Sequence, residues 1–545
     1  MEPVLRIVLA LICLVIIIDA LVLMFTWSWM FVFCAIVAIA GIALLIITRP
    51  EPIQAQAGND WMLGEALEIT NPDRPGREPC SLSIKTLMQG VLCFGQPGAG
   101  KSESFSLGYI EYVKKTLGTG MAFFDGKGDL DIIRKYIGCV GAPDYLFSTE
   151  LENSASINLM AGDAASVVDR LSAVLIGTSS STSYYSDEQY TALNRVIPVL
   201  LNLDQPANLR DLYVVMTVED AGYELIRRAK ESDKVNAEQL SLAKAWFDIP
   251  QEDRIKNVAG LLNRLFVYVS GEHTDRLNAY QPDIDIQALI KNDESVYFHL
   301  PYTKYAAAVA IAIVEMFAVE ARHRQLGGGS GANYYPLLFD DWGKFVHDGF
   351  SPFMARARSA AMPAAFSFQS VAQIKEVSPI FLEQMDDLAA TKIFLRVQGE
   401  STIEYAKRML DRYEVAEVSA SKDRNRSSNS MSVRDYERVT GRDLKQLSTG
   451  EAFISTQITR GTQARNPFWR MHFPLPEFGD WQSRALPENT GQDDLRVGLR
   501  FWERYLNPYK LEEIRKLALT DTHIEDTVEA APSLDTNPGW GEVAC

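Results

Sequence analysis

Gly95-Gln96-Pro97-Gly98-Ala99-Gly100-Lys101-Ser102 follows a short apolar run, Val91-Leu92-Cys93-Phe94. The eight residues fit GxxxxGK[ST] in full. The spacing has a physical reason. Glycines let the backbone turn so that successive N–H groups face one phosphate. Lys101 then reaches the β- and γ-phosphates of a nucleotide, and the Ser102 hydroxyl ligates Mg²⁺. Residues 103–115 read as a helix whose positive N-terminus points at the same anion. The expected cofactors are ATP and Mg²⁺, held by residues 95–102.

Far downstream the apolar run 334–339 leads into Asp340-Asp341. This is the Walker B arrangement. Asp340 is expected to hold Mg²⁺, and Asp341 to polarise the attacking water. Phe366-Ser367-Phe368-Gln369-Ser370 reads as another short strand ending in a polar amide. Gln369 is placed there to sense the γ-phosphate or to orient water. Arg358 is a candidate arginine finger, acting across a subunit boundary on transferred-phosphoryl charge. A solvated surface arginine is the plainer alternative. Asp125 and Lys127 lie at the carboxyl end of a strand over 120–125, where open α/β sheets bind ligands. A simple Asp-Gly-Lys-Gly turn is the alternative for them.

The elements that must position these groups alternate strand, loop and helix, the pattern of a parallel α/β sheet. The chain has 545 residues, enough for three or four units. With 47% hydrophobic and 23% charged residues, disorder is excluded as the dominant state. Six cysteines without a CxxC pair argue against a disulfide scaffold or structural zinc, and fit a reducing compartment. The formal charge of -17 excludes a wholly basic nucleic-acid coat. It leaves room for a local basic lining, and Lys114, Lys115, Arg134 and Lys135 are candidates for one. Residues 419–434, with Lys422, Arg424, Arg426 and Arg434 among serines, read as a mobile basic loop, more a linker than a DNA contact.

Both ends of the chain differ from its middle. Between Ile7 and Ile47 the sole charged residue is Asp19. That length holds two membrane spans, turning at Thr26-Trp27-Ser28-Trp29. Arg6 and Arg49 flank the pair, which places both ends in the cytoplasm under the positive-inside rule. After Lys516 there is no Lys or Arg, while Asp521, Glu525, Asp526, Glu529, Asp535 and Glu542 remain. This reads as an acidic, solvated tail, or as a docking strip for a basic partner.

The order of these motifs resembles the type IV coupling proteins, the TraG/TraD class of conjugative DNA-pump ATPases. The resemblance runs from the apolar hairpin to about residue 473. It is carried by Leu63-Gly64, the loop 95–102, Asp125-Gly126-Lys127-Gly128-Asp129-Leu130, Asn158-Leu159 and Asp340-Asp341. Ala357-Arg358-Ser359, Gln369-Ser370 with Gln373, and Gly450-Glu451-Ala452-Phe453-Ile454 complete it. It implies an α/β fold: a RecA-like P-loop NTPase domain with an inserted all-α domain, preceded by a two-helix transmembrane hairpin. The implied divisions are a hairpin over 1–49, nucleotide-binding halves over 50–161 and 286–480, an all-α insertion over 162–285, and an acidic tail over 481–545.

The implied function is an inner-membrane ATPase, a homo-hexamer with its bulk in the cytoplasm. It would couple DNA and a relaxase or relaxosome protein to a type IV secretion channel. The chain departs from the family where the second Walker B acid, usually Glu, is Asp341, with Glu315 a possible substitute. An alternative is therefore a nucleotide-gated adaptor that recruits protein substrates with weak or no hydrolysis. Chromosome-segregation DNA translocases share the motifs but carry more spans and a winged-helix end, for which no segment is seen.

Overall fold

The computed structural model describes residues 60–68, 79–176, 184–203, 206–270, 273–327, 333–347, 350–377, 379–410, 412–423, 426–456, 458–460, 463–465 and 468–487, with Phe501 and Tyr505. The expected membrane hairpin over 1–49 and the acids after Lys516 lie outside these residues. Among the described residues no helix is long and apolar enough to cross a membrane.

The strands in chain order are β1 (Trp61–Glu68), β2 (Pro79–Leu82), β3 (Val91–Phe94), β4 (Ala122–Asp125) and β5 (Tyr145–Ser148). Then come β6 (Val296–His299), β7 (Leu337–Asp340), β8 (Ala364–Phe368), β9 (Thr391–Phe394), β10 (Arg412–Asp423) and β11 (Arg426–Glu437). The last are β12 (Glu451–Ser455), β13 (Ile458–Arg460), β14 (Gln463–Arg465) and β15 (Phe468–His472). Eleven of them form one sheet, ordered β2-β1-β15-β12-β9-β3-β8-β7-β4-β6-β5. From β9 to β5 every pairing is parallel. The other end is extended antiparallel by β12, β15, β1 and β2.

The parallel strands are apolar on both faces because both faces are covered. Leu92 and Phe94 point into the core shared with the helical domain, and Val91 and Cys93 into the opposite core. A ladder of stacked rings crosses the first face. Phe94 lies between Phe394 and Phe368, and Phe339 between Phe366 and Phe124, which stacks on Phe298. Such cross-strand aromatic contacts lock strand register.

Between β5 and β6 the described chain is helical: Ala164–Leu175, Tyr184–Leu201, Leu209–Thr217, Glu219–Glu231, Ala237–Phe247 and Gln251–Val269. In the last of these, Val258, Leu261, Leu262, Leu265, Tyr268 and Val269 are buried at helical spacing. Asn208 with Asp211, and Asn236 with Gln239, form capping boxes. The neck of the insertion is tied by asparagines. Asn158 donates to the Ala207 carbonyl at 3.0 Å and Asn208 to the Asn278 carbonyl at 2.7 Å. Asn278 in turn donates to the carbonyls of Tyr268 and Thr274.

Two sequence expectations need correction. Residues 412–437 form a β-hairpin, β10 paired to β11 from Arg412↔Glu437 to Asp423↔Arg426, and not a loop. The backbone ladder between the two twelve-residue strands compensates for the polar composition of the stretch. Nor is the chain from 481 uniformly solvated. Trp481 and Phe478 pack under the Lys135 ammonium, and Phe501 is 3% exposed. The Arg228 guanidinium lies 4.6 Å from the Phe501 ring centre, and the Tyr505 hydroxyl donates to Glu224 at 2.6 Å.

Candidate nucleotide site

The phosphate loop joins β3 to a helix over residues 101–117, whose first turn is a wide π-turn, Lys101–Ser106. Gly98 and Gly100 have φ of 74° and 100°, a left-handed region that only glycine enters freely. Gly100 has a second reason. A Cβ there would stand 2.9 Å from the Gly450 nitrogen. Neighbouring segments clamp the loop from outside. Gln96 N–H donates to the Arg396 carbonyl at 2.9 Å, and Gly450 N–H to the Ala99 carbonyl at 3.0 Å. Arg396 and Thr449 side chains donate to the Gly98 carbonyl at 3.1 and 3.3 Å. Lys101 is buried, and its ammonium donates to the Gly95 carbonyl at 2.7 Å and that of Gln96 at 3.4 Å. Ser102 lies in the first turn of the helix, half-buried, and Pro97 is at the exposed rim.

At the same sheet edge β7 ends in Asp340, fully buried. Its Oδ1 accepts from Ser106 at 2.8 Å and from Ser367 at 2.5 Å. Its Oδ2 has no hydrogen-bond partner. In register on the adjacent strand lies Asp125. Asp125 Oδ1 accepts from the backbone N–H of Lys127 and Gly128, each at 3.0 Å, and Oδ2 from Tyr297 at 2.8 Å. Burial, then the charge of Asp340, push the Asp125 carboxyl up to about 7. The row continues outward through His299, whose Nδ1 is 2.8 Å from the Ser148 hydroxyl. Burial holds His299 below its ordinary value, because it disfavours the charged ring.

Asp341 is the first residue past the strand and sits at φ 50°, left-handed for a non-glycine. Its N–H donates to the Ser367 hydroxyl at 2.9 Å, and its Oδ2 accepts from the Gln369 amide at 2.8 Å. Gln373 Oε1 in turn accepts from Gln369 N–H at 3.1 Å. A Cβ at Gly343 would stand 2.2 Å from that Oε1, so a side chain there would displace the Gln373 amide. Gln369 therefore braces Asp341 as well as facing the site.

Lys101, Ser102, Asp340, Asp341 and Gln369 thus come together at the carboxyl ends of β3, β7 and β8. Arg358 does not join them. It follows the helix Phe350–Ala357 and precedes Ala361, whose carbonyl accepts from Tyr335 N–H ahead of β7. That is the amino edge of the sheet, roughly 16 Å along the strand direction from Asp340 at ~3.3 Å per residue. Glu315 is also elsewhere. Burial pushes its carboxyl up, and its charged neighbours are Arg170, Arg356 and Asp169. The four candidate lining cations are engaged within the subunit. Lys114 donates to Ser295, while Lys115 pairs with Glu111, Arg134 with Asp131 and Lys135 with Glu103. Ser106 and Ser367 were not foreseen: a serine carries no motif, and only strand register reveals them. Arg396 was missed for the same reason.

Comparison with known proteins shows what the chain is similar to. A family model for the TraM recognition site of TraD and TraG matches residues 337–449. The type 4 coupling protein DotL of Legionella pneumophila subsp. pneumophila (strain Philadelphia 1) is 21% identical over 481 residues. The match covers 74% of this chain and 59% of DotL, so the chain spans less than two thirds of that relative. The unbound bacterial conjugative coupling protein TrwB, lacking its N-terminal 70 residues, superposes with a TM-score of 0.52 at 13% identity. That likeness covers 73% of this chain and 90% of the other. TrwB with a non-hydrolysable ATP analogue gives 0.53 at 13% identity, over 75% and 91%. These structures share the fold, a RecA-like parallel sheet with a helical domain. Together with the matched Walker B half and the DotL relative, they make this chain similar to the type IV coupling proteins.

Proposed function

We propose that this chain is an ATPase that drives DNA, with a bound relaxase or relaxosome protein, into a type IV secretion channel. It would work as a homo-hexamer anchored in the bacterial inner membrane by residues 1–49, with an all-α domain over 162–285 between nucleotide-binding halves 50–161 and 286–480. The observation that carries the catalytic part is the meeting of Lys101, Asp340 and the Asp341–Gln369 pair at one sheet edge. The donor set fits a hard divalent cation. Asp340 Oδ2 is buried without a donor, and Ser102 lies in the first turn of the adjoining helix. Mg²⁺ held by Ser102 and Asp340 would neutralise phosphate charge.

The residues divide the remaining work. Backbone N–H groups of Gly98, Gly100, Lys101 and Ser102 and the Lys101 ammonium bind the phosphates. Asp341 Oδ1 has no partner and is available to a water, while Oδ2 is fixed by Gln369. That brace offsets part of the shorter reach of Asp relative to Glu. Arg358 would serve the neighbouring subunit, since its own phosphate loop is at the other sheet edge. Titration by DNA of steady-state ATPase activity is the test, with Lys101→Ala as control. We expect DNA-stimulated turnover, reduced about a hundredfold or more by the substitution. The adaptor reading rests on the Gln369 bond, which engages one oxygen of Asp341. It gains if turnover never exceeds the Lys101→Ala level while nucleotide still binds.

A further inference from the structure

Asp340 is held in an unusual way for a group that must meet a cation. Two hydroxyls donate to the same oxygen, Oδ1: Ser106 from the phosphate-loop helix at 2.8 Å and Ser367 from β8 at 2.5 Å. Both serines are fully buried, as is Asp340. On the far side Asp125 stands in register on β4, its own oxygens satisfied by Lys127, Gly128 and Tyr297. The hydrogen bonds of Asp125 go to these three groups and not to Asp340. The result is a carboxylate with one oxygen doubly held and the other, Oδ2, buried without a donor.

A buried carboxylate oxygen left so is costly unless a cation meets it. The arrangement is directional. Two donors on Oδ1 fix the carboxylate plane, because rotating the group would break both bonds at once. Ser367 has a second task. Its hydroxyl also accepts from the Asp341 N–H, which holds the left-handed peptide after β7 in place. Ser106 belongs to the π-turn that starts at Lys101, so the loop that holds phosphate and the strand that holds metal are tied by one bond.

We propose that Ser106 and Ser367 are positioning residues that clamp Asp340 through Oδ1, so that Oδ2 alone is presented to the magnesium ion of a bound nucleotide. The inference rests on the nucleotide reading above. It makes these serines determinants of metal-dependent affinity, not of phosphate binding as such. The phosphate contacts come from residues 95–102, which neither hydroxyl touches.

The test is binding of a fluorescent non-hydrolysable ATP analogue to the full-length protein, with Mg²⁺ and with EDTA. For wild type we expect Mg²⁺ to tighten binding. For Ser367→Ala, Ser106→Ala and the double variant, the Mg²⁺-dependent gain should shrink about tenfold, while affinity in EDTA stays within about twofold. Ser106→Thr keeps the hydroxyl and should keep the gain. Ser367→Cys preserves the volume with a poor donor, and serves if the alanine variant fails to fold. A serine acting only in packing would lower both affinities together, or neither; either result overturns the clamp. If wild type binds the analogue but shows no Mg²⁺ dependence, the clamp falls and phosphate binding survives. If wild type does not bind at all, the nucleotide reading falls with it.

Discussion

Asp125 shows how far one residue can be shifted by its surroundings. Its folded value of about 7 lies above the ordinary 3.8, from burial first and the Asp340 charge second. The folded state therefore binds this proton more tightly than the unfolded one. The stabilisation is complete below the ordinary value and is lost as pH rises through about 7. An Asp125→Asn variant removes the titration and keeps an oxygen for the two N–H donors. Between pH 4 and pH 8, wild type should lose on the order of 4 kcal/mol relative to that variant, at about 1.36 per unit. Denaturant midpoints of both proteins at several pH values measure this; parallel curves would rule it out. At this scale the sequence was informative where chemistry is tied to spacing. Lys101, Asp340 and Asp125 were all legible. Ser106 and Ser367 were not, since their importance depends on which strand lies beside which.

At the scale of elements, the phosphate loop depends on a segment nearly 350 positions away in the chain. Gly450 has φ 80°, and a Cβ there would meet Ser104 Oγ at 3.1 Å and His472 at 3.3 Å. Gly450→Ala should cost about 1–3 kcal/mol through backbone strain. It should also weaken nucleotide binding about tenfold, because the Gly450–Ala99 bond shapes the loop; isothermal titration would show this. Unchanged affinity would mean that the loop keeps its form without this clamp. Strand β3 could be read to the residue, because a buried parallel strand is a continuous apolar run bounded by glycine. The hairpin of β10 and β11 could not. Serine-rich strands outside the main sheet carry little hydrophobic alternation, and composition alone then reads as a loop.

At the scale of the whole molecule, the position of Arg358 has a consequence for assembly. A ring that completes each site with a neighbour's arginine can be repaired by mixing defects. Arg358→Ala subunits keep an intact phosphate loop, and Lys101→Ala subunits keep an intact arginine. Each should be at least tenfold impaired alone, while a mixture should recover part of the ATPase rate. No recovery in co-assembled rings would exclude action across the boundary. The sheet and its helical insertion were legible in outline, since alternating strands and helices leave few topologies. The antiparallel extension by β12, β15, β1 and β2 was not, because it joins segments from both ends of the chain.

Phe501 and Tyr505 alter the mechanics of the helical insertion. A domain inserted between β5 and β6 has two covalent attachments close together, which is the geometry of a hinge. Phe501 and Tyr505 contact the helix Glu219–Glu231 and add a third attachment. Three attachments remove a swinging freedom that two allow.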